Sequence, residues 1–164
     1  PTCTEASYNL GIYYMEKNRH GEAAREFEKT IKNDIYFLDA HYNLGNYNFT
    51  QGQYEKAIEN YKNVLRIDPL NAPGHNNLGL SYMALGQMKL AYNEYLNALK
   101  SDENYLSAYN NLGVYYMKNN KPEKAISIYK KLLELEPNYK KAHYNLRNIY
   151  QEHPKLRKMK DEKD

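Results

Sequence analysis

Three histidines, His41, His75 and His143, stand at whole multiples of one fixed interval, and imidazole is the side chain most suited to ligate a metal or to act as a general base near neutral pH. The spacing argues against both. Equivalent places in stacked helical units are about 10 Å apart, whereas a shared metal ion needs its nitrogens at about 2 Å. A packing role is expected instead, and His20 and His153 have no visible partners. Cys3 is the only cysteine, so an internal disulfide and a paired-cysteine metal site are both excluded. Lipidation of Cys3 is not expected, because Thr2 is a poor match to the small residue such sites prefer. No Gly-x-Ser-x-Gly, phosphate loop or His-Glu-x-x-His is present, and the carboxylates are scattered at solvent-facing helical spacing. The chain is expected to be no enzyme and to need no metal or cofactor.

A second series has more to offer. Asn9, Asn43, Asn77, Asn111 and Asn145 recur at the same interval without a break. Asn is a mediocre helix former with nothing to cap at mid-helix, so five repetitions call for an explanation. A carboxamide both donates and accepts. Aligned along a groove, such groups could bond successive backbone amides of an extended chain, whatever its side chains.

The elements that would position them follow from the same period, which at about 34 residues has room for two short helices and their turns. Leu10-Gly11, Leu44-Gly45, Leu78-Gly79 and Leu112-Gly113 each follow the last by one period, and Leu146 with Arg147 continues the series. Ala23, Ala57, Ala91 and Ala125 keep step, followed four residues later by Phe27, Tyr61, Tyr95 and Tyr129. Small residues let two helices approach closely, and large aromatics fill the neighbouring gaps. In the second unit Tyr42, Leu44 and Tyr47 give one helix its apolar positions and Gly52 breaks it; Tyr54, Ile58, Tyr61 and Leu65 then carry a second helix to Pro69. The breaker is Gly52 or Gly86 in two units and Asn18 or Asn120 in the others, the residue types that best tolerate a left-handed cap. Pro122 marks the start of the fourth unit's second helix.

Leu-Gly, a Tyr three residues later (Tyr14, Tyr82, Tyr116), Ala-x-x-x-aromatic and a late Pro (Pro69, Pro137) together resemble the tetratricopeptide repeat, over residues 4 to about 150. Asn48 replaces the expected Tyr, and Ile35 and Glu103 stand where Pro would. The resemblance implies an all-α fold, a right-handed α-solenoid of stacked antiparallel helix pairs. Its expected repeats are 4–37, 38–71, 72–105 and 106–139, with a capping helix at 140–152 completing one domain over 1–152. Residues 153–164 read as a charged tail that solvates the last face or stays without order.

In this family the first helix of each repeat lines the concave surface. The resemblance therefore places the asparagine series on that face, and ladders of this kind occur elsewhere in the family. With them go Ile12, Asn46, Leu80, Val114 and Asn148, then Met15, Phe49, Met83 and Met117 one turn on. The groove so formed is weakly charged and adaptable, since Met side chains are flexible and polarisable. The competing reading gives the asparagines and methionines to ordinary packing between repeats. A family subgroup grips acidic chaperone tails through Lys and Arg, but the corresponding positions here are Tyr8, Tyr42, Pro73, Ser107, Asn77 and Asn111, with Lys141 as a solitary match. Chaperone-tail binding is therefore not expected.

The expected function is a scaffold for protein interaction that holds an extended peptide or protein segment through the asparagine ladder. The alternatives are an assembly or oligomerisation module acting through repeat ends or the convex face, and a non-catalytic arm of a larger protein. Alanine at Asn43, Asn77 and Asn111 together is expected to weaken the partner and leave folding intact. The 23 basic and 20 acidic residues are interspersed, giving +3, which is no footprint for nucleic acid. No apolar run approaches the roughly 18 residues of a membrane span. The 19 Tyr against 3 Phe and no Trp imply many half-buried seams where a hydroxyl stays wet. The chain begins at Pro1 with no Met or signal-like stretch, which fits a processed or excised chain. Its compartment stays open, with the cytoplasm slightly favoured.

Overall fold

A computed structural model describes residues 3–161, with side chains through Arg157. The elements are α1 (Cys3–Glu16), α2 (His20–Asn33), α3 (Leu38–Thr50), α4 (Tyr54–Ile67), α5 (Ala72–Ala84), α6 (Met88–Ser101), α7 (Leu106–Lys118), α8 (Pro122–Leu135), α9 (Lys140–Glu152) and α10 (Pro154–Asp161). Every described element is a helix, and each packs chiefly on its neighbours in sequence. The first helices α3, α5 and α7 also touch one another along the stack. The result is an all-α solenoid of helix pairs.

Each pair is closed by the same turn. Asn18, Gly52, Gly86 and Asn120 have φ of 56°, 72°, 73° and 52°, as their residue types led us to expect. The next amide then bonds back across the helix end in the Schellman manner, as in Arg19 N–H to Tyr14 O at 2.8 Å and Gln53 N–H to Asn48 O at 2.9 Å. Pro122 opens α8, where its missing N–H costs nothing. Between pairs a different device recurs. Asp34, Asp68 and Asp102 each accept the amide two residues on, from Tyr36, Leu70 and Asn104, at 2.9–3.1 Å. Glu136 does the same for Asn138.

Within each pair the helices meet Gly against ring. A Cβ built on Gly11 would lie 2.6 Å from Phe27 Cε1, and on Gly45 or Gly79 2.7 Å from the ring of Tyr61 or Tyr95. Gly113 meets Tyr129 in the same way. These rings are fully buried, so the sequence period is a period of core contacts.

Two features depart from the repeat. Residues Pro154–Asp161, read from the sequence as part of a charged tail, form α10 and pack against α9, with Leu156 half-buried. Packing on α9 holds a helix too short to be stable alone. Residues 162–164 lie outside the described part. Asn48, buried where the other repeats carry Tyr82 or Tyr116, lines a cavity of about 540 Å³ with His41, Leu44 and Asn60. Asn48→Tyr restores the filling ring and is expected to stabilise the fold by about 1 kcal/mol, seen as a higher midpoint in thermal unfolding.

Candidate peptide groove

Three cavities between adjacent hairpins are built from the same repeat positions. The first, about 340 Å³, is lined by Met15, Phe27, Asn43 and Asn46 together with Thr50 and His20. The second, about 250 Å³, has Phe49, Tyr61, Asn77 and Leu80 in the matching places. The third, about 230 Å³, has Met117, Tyr129, Asn145 and Asn148, with Val114 and, at its edge, Lys118 and Glu152. Each therefore combines a ladder asparagine, an apolar residue one turn on from the preceding first helix, and the edge of a buried ring. Asn9 and Met15 are exposed on α1, and Ile12 packs into the core cluster of Phe27. Leu80 and Met83 lie half-buried against the central cluster.

The asparagines are less free than a bare ladder requires. Asn43 Nδ2 lies 3.5 Å from Tyr8 Oη, and Asn77 Nδ2 donates to Tyr42 Oη and to Asn46 Oδ1, both at 3.1 Å. Asn111 Nδ2 donates to Asn76 Oδ1 at 2.8 Å. Each bond joins one first helix to the next, so the series clips neighbouring repeats together. Asn145 departs from this, donating to Tyr129 Oη at 3.0 Å, while Asn110 Oδ1, which stands where Asn76 Oδ1 accepts, is buried without a partner. Burial pushes the Tyr129 hydroxyl up to about 12, partly offset by the Asn145 bond, so it is a neutral hydroxyl at ordinary pH. Burial likewise raises Tyr61, whose hydroxyl donates to Asn46 Oδ1 at 2.8 Å.

These bonds change one expectation. Alanine at Asn43, Asn77 and Asn111 would remove three inter-repeat bonds as well as any ligand contact, so folding would not stay untouched. The column Tyr8, Tyr42, Asn76 and Asn110 was not read from the sequence as the ladder's bonding partner, although it keeps the same period one residue before the ladder.

The histidine column has a structural task. His41, His75 and His143 each bring Nε2 to a backbone carbonyl six residues upstream, on Ile35, Pro69 and Pro137, at 2.9, 3.1 and 2.7 Å. Tyr109 Oη does the same for Glu103 O at 3.0 Å. A carbonyl only accepts, so each ring donates from Nε2. Among the described residues no three His, Cys, Asp or Glu side chains come together to hold a metal ion.

His75 also places Nδ1 2.7 Å from Glu94 Oε2. Burial lowers the imidazole, but the Glu94 bond, the Pro69 carbonyl and the charges of Glu94 and Asp68 outweigh it and raise the group. A raised folded value stabilises the protein fully below the unfolded value of about 6.5, and that contribution is lost as pH rises through the folded value. Thermal midpoints are therefore expected to fall as pH climbs from about 6 toward 8, with Glu94→Gln flattening the fall.

The geometry defines a repeat scaffold of stacked helix hairpins. Residues 45–86 and 79–120 match the family described as TPR repeat, and residues 107–139 match the tetratricopeptide repeat. The chain belongs to the tetratricopeptide repeat family, whose members are typically non-catalytic scaffolds for protein interaction. Among solved structures, pilF of Pseudomonas aeruginosa is 24% identical over 93% of this chain and 69% of its own, with a TM-score of 0.81. MamA is 24% identical over 90% and 81%, with a TM-score of 0.80. The first TPR of Spaghetti (RPAP3), solved bound to the HSP90 peptide SRMEEVD, is 32% identical over 70% of this chain and 93% of its own, with a TM-score of 0.66. No curated protein matches in sequence.

Proposed function

We propose that this chain is a non-catalytic scaffold that holds an extended peptide or protein segment along the face formed by its first helices. The observation that carries the reading is the recurrence of one cavity type at three junctions, an amide beside an apolar floor. Such a site takes an aliphatic side chain and leaves a carboxamide at its rim for the backbone. Asn43 and Asn145 spend only their Nδ2 groups in the bonds above, and each NH₂ has a second hydrogen. Asn43 and Asn145 thus serve twice, bonding within the stack and offering their remaining valences to the ligand, whereas Asn77 spends both Nδ2 hydrogens on Tyr42 and Asn46. The relative solved with an HSP90 peptide lends general support to peptide binding. The ligand here is of another kind, because Tyr8, Tyr42, Asn77 and Asn111 supply no charge for an acidic tail.

The net worth of each backbone hydrogen bond is about 0.5–1.5 kcal/mol, and the peptide's ordering cost is subtracted from their sum, so micromolar affinity is expected. The test is selection from a random-peptide display library, followed by methyl NMR of methionine-labelled protein. Peptides should shift Met15, Met83 and Met117 and leave Met88 on α6 unmoved. Shifts confined to Met88, or failure of any peptide to bind, would overturn the reading.

A further inference from the structure

The cavity of about 540 Å³ beside Asn48 lies between α2 and α4 over α3, and shares only Tyr47 with the three groove cavities. Asn48 is 6% exposed, and among the described residues its side-chain amide has no hydrogen-bond partner. Buried amides are ordinarily bonded, so Asn48 has both a donor and an acceptor to offer a ligand. Two more buried polar groups line the same cavity, His41 and Asn60. His41 Nε2 donates to Ile35 O, so in the neutral ring Nδ1 carries a lone pair. That lone pair lies 3.4 Å from Asn60 Oδ1, a second acceptor, because Asn60 Nδ2 donates to Lys56 O at 2.9 Å. An N–H from a third group satisfies both.

At the mouth stand the carboxylates of Glu28 on α2 and Glu59 on α4, both exposed and, among the described residues, in no ion pair. Lys56 brings the one ammonium among the lining residues, so the mouth is negative on balance. Ile31, Leu44 and Tyr47 supply an apolar wall. This constellation belongs to one junction and not to the repeat. One and two periods on, the place of Asn48 holds Tyr82 and Tyr116, and that of Asn60 holds Glu94 and Ile128. The place of Glu28 holds Lys62 and Leu96, and that of Glu59 holds Asn93 and Ser127. At the next junction Glu94 itself meets His75 Nδ1 at 2.7 Å, so no such pair of facing acceptors forms there.

We infer that this cavity is a binding site for an alkylguanidinium, the group carried by arginine and by its decarboxylated form agmatine. A guanidinium has five N–H donors in one plane and no acceptor, and it forks onto carboxylates. It matches a site whose free groups are two carboxylates, the facing acceptors of His41 and Asn60, and the Asn48 amide oxygen. The alkyl stem lies along Ile31 and Leu44, and the Tyr47 ring offers the cation a π-face. An alkylammonium is met less well, since it is a compact charge with three donors and no fork. The site is separate from the peptide groove and does not depend on it.

Agmatine titrated into the intact chain should shift the Asn48 side-chain amide and the Leu44 methyls in NMR, and leave Met117 of the groove unmoved. N-acetyl-arginine amide separates the two sources of the group. Tighter binding than agmatine assigns the site to an arginine of a partner chain, and weaker binding assigns it to a free small molecule. Asn48→Tyr fills the cavity and should abolish binding while melting above the wild type, so the loss is not a loss of fold. Glu28→Gln with Glu59→Gln, both at exposed positions, should weaken agmatine about tenfold or more. Three results overturn the proposal. They are no shift with either probe at millimolar concentration, equal binding of butylamine, which has the charge and the stem without the fork, and binding unchanged in Asn48→Tyr.

Discussion

Gly79→Ala is expected to cost about 2 kcal/mol of stability, even though Ala is the better helix former by about 1 kcal/mol. An ideal Cβ there lies 2.7 and 2.9 Å from Tyr95 Cε1 and Cδ1 and 3.2 Å from the Ala91 carbonyl oxygen. The ring cannot swing aside, because Tyr95 is fully buried in the central cluster with Leu78, Tyr82 and Leu112. Overpacking of a closed core costs about 1–3 kcal/mol, so the steric term at its upper end outweighs the propensity gain. For a chain of this size the thermal midpoint should fall by roughly 4–8 °C. If the cause is steric, trimming the ring should relieve it. Gly79→Ala combined with Tyr95→Leu should therefore lose less than the two separate losses added, by about 1 kcal/mol or more in a double-mutant cycle. Additive losses would assign the effect elsewhere.

Leu132→Ala should cost more, about 3–4 kcal/mol, and in a different pattern. Leu132 is fully buried on α8 in the cluster that holds Ala142 and Ile149 of α9. A stack in which each hairpin touches only its neighbours loses stability locally, and its ends open first. Hydrogen exchange should show α9 and α10 losing protection in this variant while α3 to α6 keep theirs. Uniform loss across all helices would mean that the solenoid unfolds as one unit. Gly79→Ala, at the centre, should spread its effect to both sides.

The sequence by itself determined the repeat. Leu-Gly, Ala-x-x-x-aromatic and the Gly or Asn breaker each encode a local steric demand. A missing Cβ admits a ring, and a positive φ selects Gly or Asn. Such demands depend on residue type and spacing alone, so helix pairs, turns and stacking order could be read without coordinates. The late Pro was a weaker guide. In every repeat the turn is held by Asp34, Asp68, Asp102 or Glu136, one residue earlier, whether or not Pro follows.

Tertiary structure alone decided what the polar columns bond to. Nothing in the period says that Asn77 reaches Tyr42 and Asn46, that Asn145 turns to Tyr129, or that His75 meets Glu94. Hydrogen bonds depend on angles and on distances held to a few tenths of an ångström, which are set by how one hairpin sits on the next.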